Sequence, residues 1–141
     1  MTSANLELVR SLYPARARGD WRSVEWADPE IEFVGADGPT RGSAKGLAGV
    51  AQMWREFLEA WEQWRVEPEE YRELDEERVL VLINLSGRGR TSGLEVDRVR
   101  AKGANVFHIR AGKVTRLVIY WDRDHALADV GLAAESDSST P

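Results

Sequence analysis

The chain has 141 residues, 43% hydrophobic and 30% charged, with a formal net charge of −5 and no cysteine. That length sets a single domain, and the missing cysteines exclude disulfide and thiolate chemistry. The acidic balance, without any Lys/Arg cluster, argues against a nucleic-acid partner, and no apolar run approaches the roughly 18 residues of a membrane span, so no membrane partner and a cytoplasmic location are expected.

Ser3 is placed to cap a first helix carrying Leu6, Val9, Tyr13 and Ala17 at helical spacing, with Leu8 and Leu12 beside them. Pro14 predicts a kink, because proline removes a backbone donor. Gly19-Asp20 ends this helix, and Asp20 caps a short second one over Trp21 to Trp26. Glu30 to Val34 reads as a strand, and Gly35 to Gly46 as a loop rich in Gly, Pro and Ser. A long amphipathic helix follows. Leu47, Val50, Trp54, Phe57, Leu58 and Trp61 recur at three- and four-residue steps, opposite Arg55, Glu56, Glu59 and Glu62.

From Arg65 the period becomes strand-like. Arg65 to Leu74 is one strand, with an edge or bulge at Pro68, and Asp75-Glu76-Glu77 is a turn. Arg78 to Ser86 is nearly continuous in Val, Leu and Ile, the pattern of a strand buried on both faces. Thr91-Ser92-Gly93 turns the chain into a polar strand, Leu94 to Arg100, which bends at Lys102-Gly103. Two further strands meet at Ala111-Gly112. A short helix through Ala126, Leu127 and Val130 ends at Gly131, and the tail, residues 135–141, is expected to be disordered beyond a domain over 1–134. Helices followed by a meander define an α+β fold, with helices on one face of a curved antiparallel sheet.

The last hairpin concentrates the functional interest. Side chains alternate along a strand, so Asn105, Phe107 and Ile109 share a face, as do Leu117, Ile119 and Trp121. If the two faces coincide, they form an apolar wall holding one polar group.

Arg18-Gly19-Asp20-Trp21, Arg41-Gly42, Ala111-Gly112-Lys113-Val114, the stretch Asp122-Arg123-Asp124-His125-Ala126-Leu127, and Gly131-Leu132 occur in this order. In that order and spacing, over about residues 4–133, they make the chain resemble the SnoaL-like polyketide cyclases of the NTF2-like superfamily. The resemblance implies a cone-shaped pocket closed by helices, a homodimer through the sheet, and reactions that use no cofactor. It also implies where acid/base groups sit. The base of the ketosteroid isomerases falls on Phe33. The aspartate of the cyclases and epoxide hydrolases falls on Ile119. The cyclase histidine falls on Phe107 or Asn105, and the isomerases' buried acid falls near Asn105 as well. None of these residues exchanges a proton near pH 7.

Asn105 is the leading polar candidate, since a buried amide needs partners. Asp122 is the carboxylate nearest the pocket end of the last strand. It is either a general base turned inward or the N-cap of the terminal helix. Tyr13 and Tyr120 can each donate a phenolic hydrogen bond to a carbonyl. Phe107, Leu117, Ile119 and Trp121 form the wall with Met53, Trp54 and Phe57, while Trp26 and Phe33 stand at the mouth. His108 faces the other way, toward the sheet surface or a dimer interface, and His125 is expected to be exposed. Arg98 and Arg100 are read as solvated sheet charges. With two histidines and no ligand spacing, no metal is expected. The expected function is binding of a small, largely apolar, aromatic or polycyclic molecule in a Trp-rich pocket. The alternatives are a cofactor-independent isomerase, cyclase or dehydratase using Asp122, and a structural homodimer with a filled cavity.

Overall fold

The computed structural model describes residues 4–17, 26–37, 42–89 and 98–131. The element order is α1 (Ala4–Ala17), β1 (Ala27–Gly35), β2 (Gly42–Lys45), α2 (Gly46–Ala60), β3 (Trp61–Glu73), β4 (Arg78–Gly89), β5 (Arg98–Arg110), β6 (Lys113–Tyr120) and α3 (Arg123–Asp129). The strands form one curved sheet in the order β2-β1-β6-β5-β4-β3. β3 to β6 pair antiparallel in sequence, as the meander predicts. β1 instead lies parallel to β6, which makes the sheet mixed.

Strand alternation divides the core in two. The inner face carries Phe33, Val79, Val81, Ile83, Phe107, Leu117, Ile119 and Trp121, packed against Val9, Leu12 and Tyr13 of α1 and partly buried Val50, Met53 and Trp54 of α2. The outer face carries Leu80, Leu82, Val106, Val118 and Tyr120 beneath Ala126 of α3. The expectation of helices on one face is therefore corrected: α3 covers the outer side, where the second apolar stripe of β4 and β5 would otherwise meet water. The continuous apolar run of β4 has this cause, since Val79 to Ile83 are all buried.

Several boundaries differ from the sequence reading. α1 runs as one helix to Ala17, past Pro14. Gly42–Lys45, expected in a loop, is a short strand paired with β1. β5 continues through Lys102-Gly103 in unbroken register with β4. The Trp21–Trp26 helix, Leu94, and the tail fall wholly or mostly outside the described residues.

The β5–β6 turn is as expected. Ala111 (φ 52°) and Gly112 (φ 76°) are both left-handed, the requirement of a type I′ hairpin. Just beyond it, His108 pairs with Arg116 and Ile109 with Val114, so Thr115 is an extra residue in β6. Its hydroxyl donates to the His108 carbonyl at 3.3 Å. This bulge lets Val114 and Leu117 both face inward, which strict alternation forbids.

Candidate functional site

The register brings Gly35, Ile119, Asn105, Val81 and Tyr71 into one row across five strands. Asn105 is thus enclosed by apolar neighbours on both sides, and it is the one buried polar or charged residue recorded among the described residues, 3% exposed. α1 supplies its partner from 92 residues away: Asn105 Nδ2 donates to the Tyr13 hydroxyl at 2.8 Å. The amide oxygen, Oδ1, is buried and has no hydrogen-bond partner. A buried carbonyl oxygen left in that state costs about 1–3 kcal/mol, so it marks a position where an acceptor awaits a donor.

Aromatic rings surround this amide. Tyr13 meets Tyr71 edge-on at 5.9 Å between centroids and Phe107 at 6.1 Å. The Arg10 guanidinium lies over the Tyr71 ring at 5.2 Å. Burial pushes the Tyr71 phenol up, against the opposing pull of Arg10. Farther along the wall, Phe33 meets Trp54 edge-on at 5.2 Å.

The structure gathers Tyr13, Phe33, Asn105, Phe107, Leu117, Ile119 and Trp121 on the inner face, with Trp26, Met53 and Trp54 partly buried against it. The Phe57 side chain lies outside the described residues. Tyr120 is corrected: it faces outward, where its hydroxyl donates to Asp129 Oδ2 at 3.0 Å. Burial, reinforced by Asp129, pushes that phenol up to about 12. Asp122 is corrected too. Its carboxylate is exposed and caps α3, accepting from the backbone N–H groups of Asp124 and His125. Of its two readings the base falls and the helix cap stands, and the inner face carries no carboxylate among the described buried residues.

The sequence reading missed a polar junction at the exit of β1 and β6. Asp37 accepts the Trp121 backbone N–H at 2.5 Å through Oδ1, and its Oδ2 lies 2.7 Å from His125 Nδ1. His125 Nε2 is 3.5 Å from Asp129. The junction ties α3 to the strand ends, and through Trp121 to the inner wall. The bond to Asp37, assisted by Asp129 and Asp122, raises the His125 pKa. A histidine with a raised folded pKa stabilises the fold fully below its unfolded value of about 6.5, and that contribution is lost as pH rises through the folded value. His108 has the opposite sign, because burial and the nearby Arg116 and Arg78 lower it. The difference in stability between wild type and His125→Gln, followed by urea unfolding from pH 5.5 to 8.5, is therefore expected to shrink as pH rises. A difference independent of pH would remove His125 from this role.

No group of three or more His, Cys, Asp or Glu side chains is placed to hold a metal ion among the described residues. No helix among them is long and apolar enough to cross a membrane.

A curved mixed sheet with helices packed on its inner side is the NTF2-like fold. Within that class, the profile of the SnoaL-like domain matches residues 9–117, and the chain belongs to this family. Solved structures agree. An NTF2-like protein of unknown function from Burkholderia pseudomallei K96243 is 20% identical over 90% of this chain and 97% of its own, with a TM-score of 0.75. A protein from Jannaschia sp. CCS1 named for the SnoaL-like polyketide cyclases is 18% identical over 93% and 92%, with a TM-score of 0.67. TerC, co-crystallised with polyporic acid, is 21% identical over 94% and 99%, also at 0.67. At these identities the likeness shows the fold. A search of curated protein sequences finds no match to the chain.

Proposed function

We propose that the protein binds a small, largely apolar, aromatic molecule between the inner sheet face and helices α1 and α2. The observation that carries this reading is the unpartnered Asn105 Oδ1 within an apolar wall. Such a wall gives affinity through area, and a single polar group fixes orientation. An acceptor at that point favours a ligand that carries a hydroxyl or N–H donor on its ring. TerC, similar in fold, was co-crystallised with polyporic acid, which is consistent with an aromatic ligand class.

Quenching of tryptophan fluorescence by 2-naphthol and by naphthalene tests the reading. One net hydrogen bond contributes about 1 kcal/mol, so 2-naphthol is expected to bind about fivefold more tightly. Asn105→Leu should erase that preference and keep naphthalene binding. Equal affinities in the wild type, or no saturable binding of either, would overturn the proposal.

A second, catalytic reading draws on the Asn105–Tyr13 bond. An amide donating to the phenol oxygen makes the phenol a stronger donor, able to polarise a carbonyl during isomerisation or cyclisation. With Asp122 engaged at the α3 cap, this reading lacks its base, and binding is the better supported function.

A further inference from the structure

Toward the hairpin turn, on the outer side of the sheet, Asp75, Glu77, Arg78, His108, Arg110 and Thr115 line a concavity of about 150 Å³. It arises from two local features. The Thr115 bulge shifts the β5–β6 register near the start of β6, and the Asp75-Glu76-Glu77 turn stands before the start of β4. The volume decides what it can hold. It is about half the roughly 300 Å³ at which pockets for drug-sized molecules begin. It is also about five times the roughly 30 Å³ occupied by one water. A group of a few heavy atoms fits.

The lining decides the chemistry. Cross-strand pairing sets His108 between Arg78 on β4 and Arg116 on β6, with Glu32 of β1 beyond Arg116. Each arginine is held through Nε. Arg78 meets Asp75 at 2.8 Å, Arg110 meets Glu77 at 3.6 Å, and Arg116 meets Glu32 at 3.6 Å. Their terminal amino groups have no acceptor among the described residues. Asp75 is fully engaged, one oxygen by the Glu77 N–H and the other by Arg78, and these bonds hold its carboxyl below the usual range. The half-buried His108 ring has no hydrogen-bond partner among the described residues. Burial and the two flanking arginines lower its pKa against the opposing pull of Asp75 and Glu77, and a neutral imidazole offers one N–H donor. The carboxylates therefore orient the arginines, and the donors are left without acceptors.

We propose that this cavity binds a small oxyanion, a phosphate or short carboxylate group, through the terminal amino groups of Arg78 and Arg110 with the His108 N–H as a third donor. Guanidinium groups match the paired oxygens of such anions, and charge-assisted bonds are the stronger ones. The proposal is independent of the inner-face ligand, since it uses the opposite side of β5.

The chain's two histidines make the test direct. Their ring protons are followed by NMR from pH 5 to 8, assigned with His125→Gln. Titrations are run in inorganic sulfate, whose charge is constant over that range, and in chloride at matched ionic strength. An anion beside the ring favours imidazolium, so the His108 midpoint should rise by about half a unit to one unit in sulfate relative to chloride. His125, set among Asp37, Asp129 and Asp122, should titrate alike in both salts. Arg110→Gln should abolish the sulfate effect, and Arg110 is exposed enough that the fold is kept. Arg78→Gln should do the same. The effect appearing in acetate also supports the site, and its strength there against sulfate distinguishes a carboxylate from a tetrahedral anion. An equal shift in chloride, a matching shift at His125, or a sulfate effect that survives Arg110→Gln would overturn the proposal.

Discussion

Gly103→Ala is expected to lower the stability of the fold by about 3 kcal/mol or more, read as a reduced urea midpoint. A Cβ at this position would lie 2.2 Å from the Tyr120 carbonyl oxygen and 2.9 Å from Leu85 Cδ1. The leucine tip can rotate away, but the carbonyl belongs to backbone fixed from several directions. Tyr120 pairs with Ala104, the tyrosine hydroxyl holds Asp129, and the next N–H is bound by Asp37. Arg123 adds a further constraint by donating to the carbonyls of Gly103 and Ile83 and pairing with Glu69. The end of β6 therefore cannot withdraw without loosening α3 as well. Gly49→Ala is the control. Gly49 lies in α2 with its nearest neighbour, Ala44 Cβ, at 4.0 Å, and alanine there should stabilise by about 0.5–1 kcal/mol through helix propensity. The same added methyl thus has opposite signs at two sites. An unchanged midpoint for Gly103→Ala would mean that the Tyr120 carbonyl is not packed tightly against Gly103.

The pairing of β5 with β6 also shows where the sequence is legible. Alternation is local, so it places Asn105 with Phe107, and Ile119 with Trp121, correctly. The same alternation sends Tyr120 to the outer face, and its candidacy as an inner donor overrode that rule. Lys102-Gly103 reads as a bend because glycine weakens a strand, yet the strand continues and the glycine answers a close approach from elsewhere in the chain. The Thr115 bulge is a count of residues between two pairings, and no residue type announces it. β2 has no apolar alternation in Gly42-Ser43-Ala44-Lys45 and exists because β1 offers an edge. The contacts of the site are the least legible. Asn105 with Tyr13, and His125 with Asp37, are separated by 92 and 88 residues. They form only once the sheet has set which helix lies over which strand. Asp122 is the converse case: its role as a cap depends on the next few residues alone, and the sequence contains it.

Phe107→Ala should cost about 3–5 kcal/mol, the range for truncating a buried phenylalanine, out of a total domain stability of about 5–15 kcal/mol. Phe107 is fully buried, paired with Val79 and Leu117 across the strands and edge-on to Tyr13. Those neighbours belong to separate strands and a helix, so they cannot all collapse into the space, and an apolar cavity remains on the inner wall beside Asn105. Phe107→Leu leaves a smaller void and should cost less. The cavity also provides a functional readout. An apolar void of this kind stays dry and takes up a benzene-sized molecule. Benzene at about 100 times its dissociation constant should restore about 2.7 kcal/mol to Phe107→Ala, and the recovered stability is measured as a rise in the unfolding midpoint with benzene concentration. The wild type should respond far less, because Phe107 fills that volume. Recovery in Phe107→Ala would show that the space vacated beside Asn105 is apolar and keeps its shape when emptied. A variant that loses little stability and ignores benzene would show that the wall closes over the gap, and the inner face would then lack the rigidity that holding a ring in register requires.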